Sequence, residues 1–221
     1  MADPDRVREA YRHCEAMVRT YDKDRYLAAL FAPAERRPYL FCLYAFDFES
    51  ARVKAVVREP MAGMIRLQWW TEAIGGLRAE EAAASPVMIA LQDAAQRTGA
   101  SLKPLLAAIE ARQAELNGAE AMGANAAIMV MAAHLLGADE HSVAAAADSG
   151  ARALVFARID PDQARAAYRV FRSQIRALPD QVLPAFVSVA LVPLLLKSPD
   201  APQWRKQIAL LRTAWFGFPK L

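Results

Sequence analysis

Two cysteines, three histidines and nine glycines are few for 221 residues. Each scarcity excludes a class of protein. Cys14 and Cys42 have neither C-x-x-C spacing nor a nearby His cluster. They predict buried thiols in a reducing compartment, not a disulfide framework. His13, His134 and His141 are scattered and make no metal set. So little Gly beside so much Ala and Leu favours helix over a turn-rich β architecture. No Ser-His-Asp order, P-loop or Gly-rich nucleotide fingerprint occurs. No segment alternates apolar and polar residues well enough to predict a strand.

A basic, apolar leader is also missing, because Asp3, Asp5 and Glu9 fall in the first turns. The longest apolar stretch, 182–196, is broken by Pro184, Ser188 and Pro193. It is shorter than the ~20 residues of a spanning helix and predicts a buried central helix. The expectation is a cytoplasmic protein, at most peripheral at the inner face of a membrane. Nucleic acid is not an expected partner, since the net charge is only +3 and aromatics do not interleave with the basic residues.

Hydrophobic residues make up 55% of the chain and charged residues 23%, enough for a substantial core without disorder. Helix signals then recur nearly end to end. Asp3-Pro4, Ser85-Pro86, Ser101, Asp139 and Asp160-Pro161 read as helix starts. Gly75-Gly76, Gly99, Asn117-Gly118 and Gly137 read as stops. The run Tyr39–Phe46 is apolar nearly all round, as in a helix buried on several sides. About ten helices are expected, in one all-α domain over 1–221 without a linker. Residues 118–158 are dominated by Ala and Gly, and a divergent or shortened, looser segment is expected there.

Charge is uneven. Residues 150–221 carry 11 Lys+Arg against 4 Asp+Glu, a net +7. Arg165, Arg169, Arg172 and Arg176 recur at helical spacing, opposite Ala164, Ala167, Tyr168, Phe171, Ile175 and Leu178. Such a stripe suits an anionic membrane surface or an acidic protein. The alternative is a solvated face paired with acids from elsewhere in the fold.

Several words of the sequence occur together in one order: Asp24–Arg37, Leu43–Lys54, Glu59-Pro60, Ile65–Trp70, and toward the end Leu183–Phe186, Ala190–Pro193 and Trp204–Gln207. In this the chain resembles the squalene/phytoene synthase family. Within it the likeness is nearest a non-synthase branch that includes a mitochondrial complex I assembly factor. The resemblance implies a helical bundle of the isoprenoid synthase type. Family synthases join two isoprenyl diphosphates and need Mg²⁺, held by two D-x-x-x-D-type motifs on facing helices. Here the first motif falls on Ala51, Arg52 and Ala55. Asp47 and Glu49 are nearby but lie on different sides of a helix. Acids recur at i,i+3 or i,i+4 spacing only at Asp5 and Glu9.

A non-catalytic binding or assembly protein without cofactor is therefore expected, with a protein partner or a second copy. The alternative is a prenyltransferase with a rearranged Mg²⁺ site drawn from Asp47, Glu49, Glu110 and Asp148. A third expectation is a tunnel for an isoprenoid or lipid ligand, lined by Phe41, Tyr44, Trp69 and Phe186. Core packing is the simpler role for the Trp69-Trp70 pair. Arg36-Arg37 suit a diphosphate only if another group offsets the helix start beside them.

Overall fold

A computed structural model describes residues 3–120 and 122–220. Several of its helices open where a side-chain oxygen meets the orphan N–H groups of a first turn. The Asp3 carboxylate accepts from the Asp5 backbone at 3.1 Å and starts α1 (Pro4–Tyr21). Asp22 accepts from Arg25 N at 3.0 Å and starts α2 (Lys23–Ala29). Proline sits in the first turn of α3 (Arg37–Val56) and of α4 (Pro60–Ile74), where its missing N–H is no loss. The short α5 (Ala79–Ala84) is not marked in the sequence, because Arg78 offers no side-chain cap. Ser85 caps α6 (Pro86–Thr98), and Gly99 ends it at φ 71°, a left-handed conformation that suits glycine. Then come α7 (Lys103–Leu116), α8 (Met122–Leu135) and α9 (Glu140–Phe156). Asp160 accepts from the backbone of Asp162 and Gln163 and starts α10 (Pro161–Gln174). The last helices are α11 (Val192–Lys197) and α12 (Gln203–Phe216). Among the described residues there is no strand, and the all-α single-domain expectation holds.

The apolar stretch near residue 190 departs from the α-helix expected of it. Asp180–Leu191 winds as a 3-10 helix before α11 begins. Pro184 supplies no N–H to an α-helical ladder, and the tighter winding keeps the segment helical, whereas Pro193 sits in the first turn of α11. By length and hydropathy alone Asp180–Lys197 is long enough to cross a membrane, but 61% of it is buried inside the fold. It is the central element that the interruptions by proline predict.

Helix α3 runs through the middle. Leu40 to Asp47 are all buried, and α1, α4, α6, α7 and α8 pack around it. Helices α8 and α9 correct the expectation of a loose 118–158. Ile128, Met131, Ala132, Ala133 and Leu135 are at most 1% exposed, as are Val143, Ala147 and Ala151. Small residues let helices approach closely: a Cβ on Gly123 would lie 3.1 Å from the Cβ of Ala111 on α7. Ile and Met supply the bulk between these contacts.

Candidate functional site

One carboxylate stands out on the buried side of α3. Asp47 is 3% exposed and follows seven successive buried residues. A charge there needs partners, because isolated burial costs several kcal/mol per ion. Two arginines supply them from distant elements. Arg25 on α2 donates through Nη1 to Asp47 Oδ2. Arg112 on α7 donates through Nη2 to Asp47 Oδ1 at 2.7 Å. Both carboxylate oxygens are thereby engaged.

The set extends outward. Arg112 Nη1 also donates to both carboxylate oxygens of Glu115, at 2.9 and 3.0 Å. Arg25 Nη2 donates to Asn125 Oδ1 on α8 at 3.1 Å, and its guanidinium lies 5.4 Å from the centre of the Tyr44 ring. Arg25 Nε also lies 3.8 Å from Asp22 Oδ2, so two cations are met by three carboxylates, of which Asp47 and Glu115 are buried. Burial alone would raise the Asp47 carboxyl, but Arg25 and Arg112 overcome it and hold the group below the usual carboxylate range. Burial likewise pulls both guanidiniums down, and their carboxylate partners more than restore them.

Glu49 occupies different surroundings, as its spacing from Asp47 predicts. It lines an open groove of about 610 Å³ with Arg52, Val53, Val56, Arg66, Trp69 and Trp70. Burial pushes its carboxyl up, against the pull of His13 and Arg52. Arg52 therefore stands in this groove where the family resemblance places an acid. Glu110 is exposed on α7. Asp148 is exposed on α9 and paired with Arg152 at 2.9 Å. Among the described residues no group of three or more His, Cys, Asp or Glu side chains is placed to hold a metal ion. The donor set does not fit magnesium diphosphate: each oxygen of the buried carboxylate accepts from an arginine, and Glu49, Glu110 and Asp148 make no metal-holding group with it.

The expected tunnel residues divide. Phe41 and Phe186 are buried among aromatic neighbours, Phe41 stacked on Tyr26 at 5.2 Å and Phe186 tilted against Phe171 at 6.1 Å. Tyr44 is buried beneath Arg25. Trp70 packs edge-on against Phe46, whereas Trp69 reaches the surface and donates through Nε1 to Glu81 at 2.7 Å. Arg36 and Arg37 are occupied by backbone carbonyls, those of Leu135 at 3.1 Å and Ala32 at 2.9 Å.

The arginine stripe runs along α10 as far as Arg172 and ends with Arg176 on a 3-10 turn, Ile175–Ala177, with its apolar counterpart inward: Ala164, Tyr168, Phe171 and Ile175 are buried. Arg169 and Arg176 are exposed. Arg165 is not unpartnered, as Asp162 one turn back pairs with it at 2.8 Å. Arg172 belongs to a separate cleft described below.

The family model described as squalene/phytoene synthase matches residues 18–159. The chain belongs to the squalene/phytoene synthase family. A solved structure of a dehydrosqualene synthase in complex with ligand superposes with a TM-score of 0.77, covering 97% of this chain and 99% of that one. At 12% identity this likeness speaks for the fold alone. Among curated proteins, "NADH dehydrogenase (ubiquinone) complex I, assembly factor 6" of Bos taurus is 32% identical over 106 residues, and that of Homo sapiens 31% over 105. Each match covers 48% of this chain and 32% of the relative. The Drosophila melanogaster homolog is 38% identical over 64 residues, covering 28% of this chain and 19% of its own. The matched stretch thus spans about a third of the mammalian relatives' length.

Proposed function

We propose that this chain is a non-catalytic squalene/phytoene synthase family member that acts as a membrane-peripheral assembly factor for respiratory complex I. The observation that carries the non-catalytic reading is the state of Asp47. Ionising an allylic diphosphate through Mg²⁺ requires carboxylate oxygens free to bind the cation. Both Asp47 oxygens accept from arginine, and Ala51, Arg52 and Ala55 stand where the family's first acidic motif falls. This reading needs no cofactor.

The names of the curated relatives support the assembly role and complex I as its object. The net +7 of residues 150–221 supports work beside an anionic surface. A protein partner or a second copy of the chain would then be met at the membrane that carries complex I.

Deleting the protein from its native host tests the assembly role. The expected result is a loss of assembled complex I, measured on native gels and as NADH:ubiquinone activity, with recovery when the wild-type chain is returned. Unchanged complex I after deletion contradicts it.

A further inference from the structure

Helix α12 leaves its apolar side uncovered. Trp204, Ile208, Leu211 and Trp215 are 57%, 47%, 54% and 83% exposed. Their spacing of four, three and four places them in one line along the helix. Leu210 and Thr213 face inward instead. Arg205 and Arg212 flank the line and are themselves exposed. Neither α12 nor the residues after it contain an acid.

Beside this line runs an open cleft of about 540 Å³. Arg172 of α10, Lys197 of α11, and Arg212 and Lys220 at the chain's end bring four cations to it. Its floor includes Ala190, Pro193, Leu194 and Ala209, and no acid lines it. Among the described residues none of the four cations is ion-paired, whereas neighbouring Lys206 is engaged by Asp24 at 2.9 Å. The cleft is built by a reversal after α12: Gly217, at φ 72°, turns the chain. Phe218 then packs edge-on against Phe171, and the Tyr168 hydroxyl donates to the Pro219 carbonyl at 3.0 Å. Those contacts hold the tail that presents Lys220.

We propose that α12 and this cleft dock the protein on an anionic bilayer, the Trp204–Trp215 line entering the interface while Arg172, Lys197, Arg212 and Lys220 hold a phospholipid phosphate. This deepens the membrane-peripheral part of the proposed function and rests on it. An in-plane helix with Trp at both ends of its apolar line and cations along its flank matches the boundary between headgroups and acyl chains. The acid-free cation cleft is complementary to lipid phosphate.

Flotation of the full chain with vesicles tests the proposal, using phosphatidylcholine alone and phosphatidylcholine mixed with phosphatidylglycerol. Binding to the anionic vesicles is expected, weakening with salt. Arg172→Gln with Arg212→Gln should lower the partition coefficient about fivefold for each charge removed. Ile208→Ser with Leu211→Ser should lower it roughly tenfold; both positions are exposed, and circular dichroism checks that the fold is kept. Wild-type binding that these variants leave unchanged, but that Arg165→Gln with Arg169→Gln and Arg176→Gln abolishes, overturns the docking site and preserves the membrane reading. No wild-type binding overturns both. Release by soluble glycerol phosphate at constant ionic strength overturns the bilayer as the ligand in favour of a free phosphate. A dimer that dissociates in the Ile208/Leu211 variant, without vesicle binding, assigns the face to a second copy.

Discussion

Asp47 is held by residues that lie 22 positions before it and 65 after it. Truncating it leaves Arg25 and Arg112 as buried cations without their shared anion. Asp47→Ala is expected to destabilise the fold by about 3–5 kcal/mol in urea unfolding at neutral pH. The pH dependence has a definite sign. The folded carboxyl titrates below its unfolded value, so its contribution is complete above about pH 4. It is lost as pH falls through the still lower folded value. The gap between wild type and Asp47→Ala should therefore hold from pH 7 to 5 and narrow below about pH 4; a gap independent of pH contradicts the ion pairs. The sequence places Asp47 directly after the apolar run of α3 and on a different side from Glu49, but does not show that it is buried. It cannot show which cations answer it, because no helical spacing links α2 and α7 to α3. Asn125 carries no signal in the sequence for the same reason, whereas Glu115 stands three residues after Arg112 on α7, within helical pairing distance.

At the scale of elements, local chemistry is legible wherever a cap or a stop is local. Asp3, Ser85, Asp139 and Asp160 each cap the helix that their position predicts. The misreadings occur where tertiary contact decides. Asp180–Leu191 is apolar enough for either helix type, and Pro184 and burial favour the 3-10 form. The small residues of α9 give little apolar bulk of their own, yet they set how near its neighbours come. Gly150 shows the effect: a Cβ there would lie 3.1 Å from Val189 Cγ2 and 3.2 Å from Phe171 Cδ2. Gly150→Ala gains about 1 kcal/mol of helix propensity. Overpacking against a buried ring costs about 1–3 kcal/mol. Thermal unfolding should show net destabilisation, and a raised melting temperature would mean that Phe171 has room to shift. The outward line on α12 is periodic in the sequence too, but periodicity alone does not say whether a stripe faces a core or the outside.

For the molecule as a whole, fold and chemistry separate. The family bundle is kept, with a core that runs from α1 to α12, while the buried Asp47 in its interior is engaged by Arg25 and Arg112. The family could be read from its words in order, and the departure from its acidic motif could be read at Ala51, Arg52 and Ala55. How the remaining acids are arranged could not, since Asp47, Glu49, Glu110 and Asp148 reach their surroundings through packing of different helices. Calorimetric titration of the purified protein with farnesyl diphosphate, with and without Mg²⁺, tests the non-catalytic reading most directly. No Mg²⁺-dependent heat of binding is expected, because both Asp47 oxygens accept from arginine and no group of described acids is placed to hold the ion. Tight binding that appears only with Mg²⁺ would contradict it, and would mean that a metal site assembles from these carboxylates when the diphosphate arrives.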